Sequence, residues 1–70
     1  MPNSKNNELK RFNVWKSNNN GDPIDGTDRT LTGPSKRWIM RQIAYENNIK
    51  YNNELIVKLP DGCFYNCSQF

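Results

Sequence analysis

Apolar and polar residues alternate along two stretches of this chain and recur at helical spacing along a third. In residues 8–17, Phe12 and Val14 fall on one side with Lys10 and Lys16, while Leu9, Arg11, Asn13 and Trp15 fall on the other. Period-two alternation of this kind predicts a strand. Between Pro34 and Ile49 the apolar positions change period: Ile39, Met40, Ile43, Ala44 and Asn47 trace an i, i+3, i+4 stripe, with Trp38 beside it. This is the only substantial helix the sequence predicts. Ser35 is its candidate N-cap, Gly33-Pro34 enforces the break before it, and Asn47-Asn48 suits a left-handed C-terminal cap.

Alternation returns at Leu55, Val57 and Leu59, followed by Pro60-Asp61-Gly62 and then Cys63 to Ser68. Pro at the second turn position, Asp at the third and Gly in the left-handed region describe a three-residue hairpin with a bulge. That register pairs Leu59 with Cys63, Val57 with Tyr65 and Leu55 with Cys67, and puts all six on one apolar face. Residues 18–33 read as a long loop broken by Asn-Gly-Asp-Pro and Asp-Gly, with a short strand at residues 27–32. A loop of this length in a small domain is expected to be mobile or functional. Residues 1–7 are polar without periodicity and are expected to be a disordered tail preceding a single domain at 8–70.

The expected fold is therefore α+β: a small antiparallel sheet of three or four strands with one helix packed on one face, in the order β(β)αββ. The expected core is Phe12, Val14, Ile39, Ile43, Leu55, Val57 and Leu59, with Tyr65 and the cysteines at its edge. Seventy residues, 34% of them hydrophobic, leave little material for that core. A chain this short buries only ~60% of the surface it exposes when unfolded, so packing defects should cost it dearly.

Composition removes most chemistry. The chain has no histidine, the commonest general base and metal ligand. Cys63 and Cys67 alone do not make a zinc site. On a strand their Cα atoms would lie ~13 Å apart, beyond the ~7 Å reach of a disulfide. They are read as reduced core thiols, which points to a cytoplasmic setting. No apolar leader opens the sequence and no window approaches a membrane span, so no membrane association is expected.

Asp22-Pro23-Ile24-Asp25-Gly26-Thr27 resembles the magnesium-binding motif of the inositol monophosphatase family. The resemblance covers six residues of seventy. The family's further acidic ligands have no counterpart here, and the polar run Asn18 to Gly21 stands where that family has a hydrophobic strand. The loop also fails as an EF-hand, with Pro23 at the required glycine and Arg29 at the bidentate acid. Residues 26–36 lack the Gly-Lys-Ser/Thr of a P-loop. The reading is of a protein that is not an enzyme and carries neither a metal nor a cofactor.

Two surfaces remain for binding. Ten Lys and Arg against seven Asp and Glu give a net charge of +3, which permits an anionic partner and excludes an acidic DNA mimic. The sheet face away from the helix should show Arg11, Asn13, Trp15, Ile56, Lys58, Phe64 and Asn66, aromatics interleaved with basic and amide groups as in surfaces that stack unpaired bases. The alternative is that Trp15 and Phe64 pack on each other, under the 18–33 loop, or in a dimer interface. The helix start gathers Lys36, Arg37 and Arg41, where the helix dipole disfavours cations and free N–H groups favour an anion. The alternative there is a solvated basic face. The expected function is a nucleic-acid-binding module using these seven cationic and aromatic residues. The competing expectation is a protein-interaction module, an accessory regulator, inhibitor or adaptor binding the acidic surface of a larger protein. The expected state is a monomer or weak homodimer.

Overall fold

Among the described residues four strands and one helix form, and the period of the apolar residues changes between them. The computed structural model describes residues 8–70; the tail expected at 1–7 lies outside the described residues. The strands are β1 (Lys10–Ser17), β2 (Arg29–Gly33), β3 (Val57–Lys58) and β4 (Phe64–Gln69), and α1 (Lys36–Glu46) falls between β2 and β3. They form one antiparallel sheet in the order β2-β1-β4-β3. The fold is the expected α+β arrangement, with β2 as a true strand and the order ββαββ.

Alternation on β1 decides which face is covered. Phe12 and Val14 are buried, and their partners across the sheet, Leu31 on β2 and Cys67 on β4, share their side. Val57 on β3 joins them opposite Tyr65. Helix α1 lays Ile39, Met40, Ile43 and Ala44 onto this face, and all four are buried. Leu31, Ile49, Tyr51 and Tyr65 close the cluster from its rim.

The helix ends are built by the residues expected to build them. Ser35 is extended, and its Oγ accepts a hydrogen bond from the Trp38 N–H at 3.2 Å. Asn48 has φ 57°, the left-handed cap. The Asn48 N–H donates to the Tyr45 carbonyl and the Ile49 N–H to the Ala44 carbonyl, the paired bonds of a Schellman motif. Those capping residues shorten the helix from the expected 34–49 to Lys36–Glu46. Just before α1, Gly33 passes under the Trp38 ring. A Cβ there would sit 2.7 Å from Trp38 Cζ3 and 3.1 Å from Ile39 Cδ1, so any larger residue must push the indole aside for the strand to turn into the helix this closely.

The hairpin turn forms as read: the Gly62 N–H donates to the Leu59 carbonyl at 3.1 Å, the Leu59 N–H to the Cys63 carbonyl at 2.8 Å, and Gly62 has φ 93°. The strand leading into it is shorter than expected. β3 has two residues, the Leu55–Cys67 pair does not form, and Leu55 is 49% exposed. Asn53 takes φ 63°, and the Tyr51 hydroxyl donates to the Glu54 carbonyl, so the chain is still turning when it reaches Leu55. Leu59 is half-buried rather than in the core. Cys67, expected at the core's edge, is inside it, because β4 pairs on its other side with Val14 of β1.

The segment between β1 and β2 is ordered by its own polar side chains. Asn18 Oδ1 accepts from the N–H groups of Asn20 and Asp22. Thr27 Oγ1 donates to the Ile24 carbonyl at 2.7 Å and accepts from the Lys16 N–H at 3.1 Å. Pro23 bridges to Ser17, which this folding back helps to bury completely.

Candidate binding surface

Among the described residues no helix covers the second face of the sheet. Alternation puts Arg11, Asn13 and Trp15 of β1 there, with Phe64, Asn66 and Ser68 of β4, Thr30 and Thr32 of β2, and Lys58 of β3. The register fixes their spacing. Trp15 stands opposite Asn66, and Phe64 is one step along β4, diagonal to Trp15. Lys58 is directly opposite Phe64. Arg11 lies four residues from Trp15 along β1, ~13 Å away.

Trp15, Phe64, Asn13 and Asn66 are half-buried, while Arg11, Lys58, Thr30, Thr32 and Ser68 are exposed. Both aromatics keep part of their surface open to solvent. The Asn13 amide donates to the Asp28 carboxylate at 3.3 Å, tying that acid to this face. The Arg11 guanidinium lies over the Phe70 ring, 5.8 Å from its centroid. Phe70 is 73% exposed, and its N–H donates to the Arg11 carbonyl, extending the β1–β4 ladder by one residue.

Sequence reasoning missed Phe70, Ser68, Thr30 and Thr32 on this face, and Ile56, expected on it, precedes β3 and lines a hollow with Ala44 and Val57. Phe70 was reachable, since it continues the alternation of Phe64, Asn66 and Ser68. The threonines needed the β1–β2 register, which no turn motif in the long connection specifies.

The seven expected binding residues divide between two sides. Arg11, Trp15, Lys58 and Phe64 are together on the open face. Lys36, Arg37 and Arg41 belong to α1, on the opposite side of the sheet, so the structure does not bring the two groups onto one surface. The helix cations also diverge. Lys36 is half-buried and, with Lys10, Phe12, Pro34, Ser35, Ser68 and Gln69, lines an open hollow of about 390 Å³. Lys10 Nζ donates there to the Pro34 carbonyl at 3.3 Å. Arg37 and Arg41 are exposed, one turn apart on the helix. No acidic residue occupies the first turn of α1, and none of the three cations forms an ion pair among the described residues. The ion pair that does form joins Arg29 of β2 to Glu46 at the helix C-terminus, where a carboxylate would otherwise face the negative end of the dipole.

Both cysteines are free. Burial pushes the Cys67 thiol above its ordinary range, opposed by the nearby Lys36 ammonium. Burial also raises Cys63, helped by the Asp61 carboxylate. Both shifts keep the groups as thiols, which disfavours nucleophilic chemistry. Among the described residues no three His, Cys, Asp or Glu side chains gather as metal ligands, and no helix is long and apolar enough to cross a membrane.

No protein-family model, curated protein or solved structure matches this chain.

Proposed function

We propose that this chain is a small, non-enzymatic module that binds unpaired nucleic acid on the open face of its sheet. The observation that carries the reading is the half-exposed diagonal of Trp15 and Phe64, with Lys58 beside Phe64 and Arg11 further along β1. Bases freed from pairing offer flat faces that stack on such rings, and phosphates between them meet the cations at the ends of the strip. A shallow sheet with half-buried rings suits splayed bases better than the grooves of a duplex, which admit a projecting helix or ribbon. The amides of Asn13 and Asn66 lie within the same strip and supply hydrogen bonds to base edges. The free thiols are consistent with a cytoplasmic setting for this role.

Fluorescence tests the reading directly, because the two tryptophans lie on opposite sides of the sheet. With Trp38→Phe as background, Trp15 alone reports. Titration with a single-stranded oligonucleotide should quench it, and the affinity should fall steeply as salt rises. Trp15→Ala should weaken binding about 5- to 100-fold, the range for loss of one stacking platform. No quenching and no binding at low salt would remove the proposal.

A second reading rests on the unpaired cations of α1. Arg37 and Arg41 project from the helix without acidic partners, a surface that fits an acidic patch on a larger protein. Capture of a stoichiometric, nuclease-insensitive protein that is lost with Arg37→Glu and Arg41→Glu would favour this regulator or adaptor role.

A further inference from the structure

The two edges of the sheet are treated differently. At one edge, β3 is two residues long, carries Lys58, and runs within two residues into Pro60. Short length, lysine and proline are the usual protections of a sheet edge against pairing. At the other edge, β2 runs five residues in regular register with β1, and no bulge interrupts it. Between Arg29 and Gly33 it has no charge and no proline, only Thr30, Leu31 and Thr32. Arg29 is turned to the helix side and held by Glu46. Among the described residues nothing pairs with the outer backbone groups of β2, which form an antiparallel template.

We infer that β2 pairs with β2 of a second copy of this chain, forming a two-fold dimer with one continuous eight-stranded sheet. The sequence of β2 complements itself when the axis passes through Leu31. Leu31 then faces the partner's Leu31, Thr30 faces the partner's Thr32, and Arg29 faces the partner's Gly33. Thr–Thr pairs are favourable across antiparallel strands, and this register sets no like charges opposite each other. A centre at Arg29 would place two guanidinium groups face to face. Because the axis is perpendicular to the sheet, both helices fall on one side and both open faces on the other. A five-residue strand pair buries less than the ~1,200 Å² of a standard specific interface, so the dimer is weak and concentration-dependent.

The test is the solution mass of the full chain, by light scattering or sedimentation, from about 10 μM to about 1 mM, the range suited to an interface of this size. The mass should climb from 8.2 kDa towards twice that value. Thr30→Lys with Thr32→Lys sets lysine against lysine twice across the axis and should hold the chain monomeric at every concentration. Thr30→Lys with Thr32→Glu sets lysine against glutamate twice and should keep or strengthen the dimer, now salt-sensitive. Both positions are exposed, and circular dichroism checks that each variant retains the fold. A wild-type monomer throughout overturns the inference. So does an equal response of the two double variants, whether both dimerise or neither does. None of these readouts involves nucleic acid, so the dimer and the proposed binding function fail or stand separately.

Discussion

The two faces of the sheet are made from alternate residues of the same strands, yet they solve different problems. On the covered face, Phe12, Val14, Val57 and Cys67 meet Ile39, Met40, Ile43 and Ala44, and all eight are buried. On the open face, Arg11, Trp15, Phe64 and Lys58 alternate with amides and hydroxyls, and among the described residues no helix lies over them. The covered face takes Val14, Val57, Ile39, Met40, Ile43 and Ala44, while Leu9 and Leu55 remain exposed. Trp15 and Phe64 are not among the residues of that core cluster, and their placement calls for a different account. Stability should respond to changes on one face and binding to changes on the other.

The largest effect is expected at Phe12. Its side chain is 2% exposed at the centre of the sheet. Truncation of a buried phenylalanine to alanine costs about 3–5 kcal/mol. A 70-residue domain has about 4–10 kcal/mol in total. Phe12→Ala should therefore leave much of the chain unfolded at 25 °C, seen as loss of a cooperative denaturant transition. Trp15→Ala on the adjacent face should keep that transition. If both unfold the chain alike, the division between the faces is wrong.

Gly33→Ala should come next. The added methyl group meets the Trp38 ring and Ile39, and relief requires the indole to swing outward. Overpacking of this kind costs about 1–3 kcal/mol. Trp38 is 38% exposed, so it has room to move, and the lower half of that range is expected. Trp38→Ala should remove most of the penalty, since the clash and its relief involve the same ring. Additive effects of the two substitutions in a denaturation cycle would show that Gly33 matters for backbone reasons instead.

The helix start separates the two faces most sharply. Lys36→Glu with Arg37→Glu replaces two cations at the positive end of the dipole by anions, and also sets a carboxylate near Lys10. Each change should add about 0.3–1 kcal/mol to stability. Because these residues lie across the sheet from Trp15, binding of a single strand should fall only through the lost net charge. A loss of binding matching that of Trp15→Ala would move the site to the helix side.

Local chemistry explains how much of this was legible. Pro60-Asp61-Gly62 specified a turn type, and that turn fixed the Val57–Tyr65 register without reference to the rest of the fold. Ser35 and Asn47-Asn48 marked the helix ends, because capping is settled within a few residues. Leu55 was misplaced because alternation was carried back through it, although Asn52-Asn53 precede it and asparagine tolerates the left-handed conformation Asn53 adopts. The depth of Cys67 depends on β4 lying between β1 and β3, a long-range pairing that no local signal announces. The same holds for the site. Which four residues share the open face followed from alternation, but the separation of Lys36, Arg37 and Arg41 from them required knowing which face the helix covers.

The smallest expected effect is a pH dependence in the hairpin that places Phe64 and Lys58 on the open face. The Asp61 carboxylate accepts a hydrogen bond from the Cys63 N–H at 2.9 Å, and that bond holds its pKa below the ordinary value of 3.8. A carboxyl lowered on folding contributes stability that is complete above its unfolded pKa and is lost as pH falls through the folded one. The turn should therefore be indifferent to pH from neutrality to about pH 5 and loosen only below about pH 4. Amide exchange or chemical shift at Cys63 would follow it, while the Ile43 amide in the helix serves as a reference on the covered face. Asp61→Asn keeps an oxygen for the Cys63 N–H without a titrating proton, so it should hold the turn and abolish its acid sensitivity. If acid instead disturbs Ile43 and Cys63 together, the hairpin opens only with the whole fold, and the open face is as firmly fixed as the core beneath it.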